Sequence, residues 1–257
     1  MKITILALVL CALGSCGMTP PPPADQPQPA PDRPTDDVLR AHNVQPGAAL
    51  LSACTIEALR LPSFPADPNS DVPNFFERRQ VVSIQGDAFI SHTVAPLGAR
   101  TQIYVFDGRA GYRAVAEGGS PVEVAAIEGS ELRAVEFGVK TFGVVPILNL
   151  LSDPKTESVY LGRTARKQDK FQVRTHGGTW TLYANQQHLI SRLEAGDQII
   201  EYADYRTTDE GLSLPFIQRA YRGGKLLYEL VFTRVELNRA FAPGYFSRET
   251  LTREVRR

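Results

Sequence analysis

Downstream of Arg79 the chain is written in short runs that alternate apolar and polar side chains, separated by glycine-bearing turns. This period-two texture predicts strands at 80–85, 88–94, 99–106, 112–116, 157–162, 171–175, 179–184, 188–194, 198–205, 212–221 and 226–237. The intervening Gln85-Gly86-Asp87, Asp107-Gly108, His176-Gly177-Gly178, Ala195-Gly196-Asp197 and Arg222-Gly223-Gly224-Lys225 have the composition of hairpin turns. Strands joined in order by tight turns predict one large antiparallel meander.

The last run predicts that the sheet is covered on both faces. Leu227, Glu229, Val231, Thr233 and Val235 share one side, while Tyr228, Leu230, Phe232, Arg234 and Glu236 share the other, so apolar groups occupy both. A sheet with one wet face alternates more strictly. The pattern therefore predicts a mainly β fold: a strongly curved antiparallel sheet, an unclosed half-barrel, wrapped on helices. Residues 130–152 supply those helices, because their apolar density is too high for a surface loop. Ser130 is placed to cap a first helix and Pro146 to open a second, while Gly138 and Gly143 weaken the helix between, so a broken pair is expected. A permanent core plug and a movable lid both fit this composition.

Upstream, Asp36 or Asp37 can cap a short helix running to His42, and the apolar rhythm of 48–61 is partly helical. Closely spaced prolines make 62–73 a loop. The chain thus divides into a helical or irregular segment at 36–77 and a half-barrel at 78–257.

The first residues change the picture of where the protein works. Met1-Lys2, the apolar run 3–13 and Gly14-Ser15 form the pattern of a secretory signal peptide at 1–15, too short for a membrane span. Leu13-Gly14-Ser15-Cys16 resembles the lipobox of bacterial lipoproteins, in which the cysteine becomes the acylated first residue of the mature chain. That resemblance implies a lipid anchor at Cys16, and several acyl chains on one residue hold a protein stably to a bilayer. An ordinary cleavage site beside an unmodified cysteine is the alternative. Residues 16–35 are proline-rich with almost nothing apolar to bury, which predicts an extended spacer.

Composition mainly excludes. Formal net charge is zero, and although arginine outnumbers lysine 22 to 6, the arginines are scattered, so the electropositive face of a nucleic-acid binder is absent. The four histidines, His42, His92, His176 and His188, show no metal-ligand spacing and read as surface positions. Cys54 is the lone cysteine between an acylated Cys16 and the C-terminus, and its small and apolar neighbours mark a buried thiol. Gly118-Gly119-Ser120-Pro121 lacks the strand and helix context of a nucleophile elbow. Glu201 with Asp204, and Asp209 with Glu210, read as solvated edge acids rather than a glycosidase pair. Neither an enzyme nor a cofactor or metal site is expected.

Several strand phrases carry a resemblance. Gly178-Thr179-Trp180-Thr181-Leu182-Tyr183, His188-Leu189-Ile190-Ser191-Arg192-Leu193, Tyr202-Ala203-Asp204-Tyr205-Arg206, Gly211-Leu212-Ser213-Leu214-Pro215-Phe216 and Gly224-Lys225-Leu226-Leu227-Tyr228-Glu229 together resemble the outer-membrane lipoprotein-sorting (LolA-like) superfamily over about 78–245. The resemblance implies an unclosed sheet lidded by helices, with 130–152 as the lid. It also implies a protein of the bacterial cell envelope, an outer-membrane lipoprotein facing the periplasm, that binds a lipid or acyl chain for transport or envelope maintenance. Envelope lipoproteins or transport proteins would be its partners. An anchored member can present an apolar loop to the membrane, for which Phe75-Phe76 and Val144-Val145 are the candidates.

The residues expected to line the cavity are Leu132, Val135, Val139, Phe142, Ile147 and Leu148 from the helices, and Tyr104, Tyr183 and Phe232 from the sheet. The competing expectation is a non-catalytic envelope scaffold whose half-barrel is filled by its own side chains.

Overall fold

The computed structural model describes residues 33–45, 53–61, 78–94, 100–117, 122–175 and 178–254. The expected signal peptide, Cys16, most of the spacer, Phe75-Phe76 and His176 lie outside them.

Among the described residues, thirteen strands form one antiparallel sheet. A first meander runs through β1 (Ala53–Leu61), β2 (Arg78–Gln85), β3 (Ala88–Val94), β4 (Arg100–Phe106), β5 (Gly111–Glu117) and β6 (Glu123–Ile127). A second runs through β7 (Ser158–Arg163), β8 (Asp169–Thr175), β9 (Gly178–Ala184), β10 (Ile190–Ala195), β11 (Gln198–Thr207), β12 (Ser213–Arg222) and β13 (Lys225–Leu237). Pairing of β1 with β13 joins the two, and β6 and β7 are the edges. The chain passes from one edge to the other through α2 (Gly129–Thr141) and α3 (Val145–Ser152), which therefore cross the hollow side of the curved, unclosed sheet. This is the architecture that the alternation predicts.

Local differences have physical reasons. The stretch 53–61, expected to be helical, is a strand at the middle of the sheet, paired with β2 on one side and β13 on the other. Its first four residues are all buried, so the polar alternation that marks a strand is missing. Thr55, on the face away from Cys54 and Ile56, is satisfied by the Ser83 hydroxyl at 3.0 Å. Among the described residues of 36–77, α1 (Asp36–Ala41) is the only helix. In β13 a register shift opposite Glu57/Ala58 reverses the alternation beyond Phe232: Phe232 pairs with Ala58, Val235 with Ile56 and Leu237 with Cys54. Val235 and Leu237 therefore join Tyr228, Leu230 and Phe232 on the hollow face.

The second cover was not foreseen in the sequence. A C-terminal segment ending in α4 (Arg248–Glu254) lies against the outer face of β3 to β6. Phe246 and Leu251 bury Ile90, Ile103, Val105 and Ala114, and Phe241, Tyr245 and Phe246 pack ring to ring with centroids 4.8 to 5.1 Å apart.

α2 begins after Glu128, so Ser130 is inside its first turn rather than its cap. Pro146 opens α3 as expected, and the two helices meet at 75°. No single helix among the described residues is long and apolar enough to cross a membrane. The break is fixed by Gly143, whose φ of +61° suits glycine and whose Cβ position lies 3.0 Å from Ile56 Cδ1. Two buried side chains from the sheet pin it: the Tyr202 hydroxyl donates to the Thr141 carbonyl at 2.7 Å, and the Gly143 amide donates to Gln218 Oε1 at 2.8 Å. Replacing Gln218 by leucine leaves that buried amide without its acceptor, and the expected cost is about 1–3 kcal/mol in urea unfolding. A variant as stable as the parent would show that the junction is not held this way.

His42, which ends α1, is buried, in contrast to the surface position expected. The Ile190 amide donates to its Nε2 at 3.1 Å, so its Nδ1 carries the proton that binds the Ser213 carbonyl at 2.6 Å. One neutral imidazole thus joins α1 to β10 and β12.

Candidate ligand cavity

Helices α2 and α3 fill much of the hollow. Ile147 and Leu148 are fully buried in the core, and Phe142 stacks on Phe232 at 5.7 Å. Between the C-terminal half of α2, the start of α3 and the sheet there remains a cavity of about 240 Å³. Its apolar walls come from Ala53, Cys54, Ile84, Val139, Val145, Pro146, Leu150 and Trp180, and Gly86, Asp87, Lys140, Asn149 and Thr175 complete the lining. The β2–β3 hairpin forms one side.

Two further cavities adjoin α2. One of about 440 Å³ lies between Arg133, Glu136, Phe137 and Lys140 of the helix and Thr179, Trp180, Ala195, Gly196 and Gln198 of the sheet. The other, about 100 Å³, is bounded by Asp87, Phe106, Gly108, Glu136, Val139 and Lys140. Lys140 borders all three, and Trp180 separates the two largest.

The nine residues expected to line the site divide sharply. Val139 lines the cavity. Leu132 and Val135 are half-buried against the core, and Tyr104 lies beneath the first turn of α2, where burial and Glu131 push its hydroxyl pKa up. Phe142, Phe232, Ile147 and Leu148 are packing residues that lie side by side but border none of these cavities. Tyr183 faces the other way: in β9 the buried residues are Trp180, Leu182 and Ala184, so Tyr183 is on the outer face, where its hydroxyl donates to Glu194 at 2.9 Å. Val144 and Val145 are buried, which removes them as a membrane-facing loop.

Sequence reasoning missed Trp180, Cys54 and Ile84. The parity of β9 distinguishes Trp180 from Tyr183, whereas Cys54 needs β1 to be recognised as a strand. The Cys54 thiol is pushed up to about 12 by burial, so it is a neutral wall group without nucleophilic character. No group of three or more histidine, cysteine, aspartate or glutamate side chains among the described residues is arranged to hold a metal.

The fold has a solved counterpart. A DUF1329 family protein from Desulfovibrio piger superposes with a TM-score of 0.53 at 12% identity, over 84% of this chain and 97% of that one. The two share a fold. A domain from Vibrio parahaemolyticus named for outer membrane lipoprotein sorting covers the same shares at 10% identity, and its TM-score of 0.49 is too low to carry an argument. No family model matches the chain. No curated protein matches it either.

Proposed function

We propose that this protein is an envelope lipoprotein, anchored through Cys16 to the outer membrane and facing the periplasm, that holds a lipid or lipoprotein acyl chain without covalent chemistry. The observation that carries the reading is the apolar cavity between α2, α3 and the sheet. Its 240 Å³ is just below the usual range for small-molecule sites, about 300–1,000 Å³, so a full chain requires α2 to move toward the neighbouring spaces. Each methylene taken from water contributes about 0.8 kcal/mol to binding. The resemblance in the strand phrases and the proline-rich spacer support the same placement.

Trp180 is the chain's single tryptophan and borders the cavity, which makes it an intrinsic reporter. A brominated dodecanoate is expected to quench its emission saturably, and Val139→Phe, which fills the cavity, is expected to weaken that binding by about tenfold. Emission that does not respond, or a quench that the variant leaves unchanged, contradicts the reading.

Complete burial of Ile147 and Leu148 favours the second reading, a scaffold whose hollow is filled by its own side chains. An unresponsive Trp180 decides for it.

A further inference from the structure

We propose that the free edge of the sheet at β7 is a membrane-docking surface, which rests on the head-group layer of a bilayer containing anionic lipid. The inference goes beyond the acyl cavity and rests on the proposed function only for the anchor at Cys16.

Four large apolar side chains are exposed among the described residues, and three of them are consecutive: Val159, Tyr160 and Leu161, at 55%, 48% and 46% exposure. They lie in β7, an edge strand of the sheet, paired on one side only with β8. Neighbouring residues of a strand point to opposite faces. Val159 is opposite the exposed Gln172 on the outer face, whereas the Tyr160 ring packs on buried Phe171, centroids 5.5 Å apart, at the rim of the hollow. The Tyr160 hydroxyl donates to buried Asp169 at 3.1 Å, which holds the ring at that rim. Apolar groups thus flank the free edge on both faces, and only something that meets the strand edge-on covers them together.

Three observations select the occupant. A bulge interrupts β7 between Tyr160 and Gly162, where Gly162 has a φ of +101°, and a bulged edge resists the addition of another strand. Cations border the apolar run. Lys155 precedes it, and Arg166 and Lys167 occupy the turn after it; all are exposed and without an ion pair among the described residues, while Arg163 and Arg174 pair with Asp169 and Glu157. Such a border suits an anionic bilayer, because aliphatic and aromatic groups enter the head-group layer while the cations meet lipid phosphates. Finally, the described chain begins beside this edge: Arg33 Nη1 donates to the Asp153 carbonyl at 2.9 Å, and the Thr35 and Ser158 hydroxyls are 3.4 Å apart. The stretch between Cys16 and Arg33 spans at most about 60 Å. An anchor at Cys16 therefore keeps β7 at high local concentration near the bilayer.

The test uses the purified full-length chain, reconstituted into vesicles of phosphatidylethanolamine and phosphatidylglycerol that carry nitroxide-labelled acyl chains. An environment-sensitive fluorophore is attached at Leu161→Cys or, for reference, at Leu227→Cys, the exposed apolar position of β13. Cys54 is buried, and the parent treated in the same way is the blank. The label at 161 is expected to shift to the blue and to be quenched by the nitroxides, and the label at 227 to do neither. Exchange of phosphatidylglycerol for phosphatidylcholine, or the double substitution Arg166→Gln/Lys167→Gln, is expected to lower the ratio of docked to undocked protein by about tenfold. A chain that floats with the vesicles while its label at 161 stays as exposed as that at 227 overturns the docking edge and leaves the anchor standing, whereas a chain that does not float overturns both. Quenching unaffected by lipid charge and by the double substitution overturns the anionic partner. A blue shift without nitroxide quenching, accompanied by disulfide-linked dimers of unlabelled Leu161→Cys, overturns the bilayer in favour of a second copy of the chain.

Discussion

Between pH 7 and pH 4 the folded protein is expected to lose about 3 kcal/mol of unfolding free energy through His42 alone. Burial lowers its pKa from the ordinary 6.5 to about 4, against a smaller raising effect of its bond to the Ser213 carbonyl. A lowered pKa means that the unfolded chain takes up a proton before the folded one does. The contribution is therefore fully present above pH 6.5 and is lost as pH falls toward 4. The structure explains why the folded state resists: Nε2 is the acceptor for the Ile190 amide, so protonation there breaks a buried bond and sets two donors face to face. Urea unfolding across this range should show His42→Gln with a flatter profile than the parent by about 3 kcal/mol, whatever its stability at pH 7. Parallel profiles would mean that His42 is reached by water.

The second large effect separates core from lid. Leu148→Ala removes a fully buried side chain of α3, and if the helix is permanently packed in the hollow the expected cost is about 2–5 kcal/mol. The same truncation enlarges the space under α3, so dodecanoate should bind the variant at least as well as the parent. A loss of stability under 1 kcal/mol would identify α3 as a mobile cover that contributes little to the fold. The distinction matters because the cavity is bounded by α2 and by Val145, Pro146, Asn149 and Leu150 of α3, whereas Leu148 and Leu151 are buried in the core.

The sheet was legible because its hairpins are local. Period-two alternation and glycine turns report on neighbouring strands, and every strand of the second meander falls within two residues of its expected limits. What failed was governed by long-range contacts. The buried start of β1 reads as a helix because its polar face is closed by Ser83 of β2, and the cover over β3 to β6 comes from α4, more than a hundred residues away. The helical insertion was visible from composition and its break from Gly143, but not which of its apolar residues border empty space. Ile147, Leu148 and Val139 are indistinguishable as letters, and only packing shows that the first two fill the core while Val139 leaves a gap against Cys54 and Trp180. Tyr183 was chosen for its aromatic ring, although the alternation through Trp180 and Leu182 places it outside.

If the cavity holds an acyl chain in the cell, the space beside Trp180 is filled when the protein is purified. The direct measurement is organic extraction of the natively purified chain, followed by mass spectrometry of what is released without hydrolysis. An acyl-bearing molecule is expected at close to one per protein, depleted in Val139→Phe. Recovery of no such molecule from the parent, with the N-terminal peptide alone carrying lipid, would contradict it.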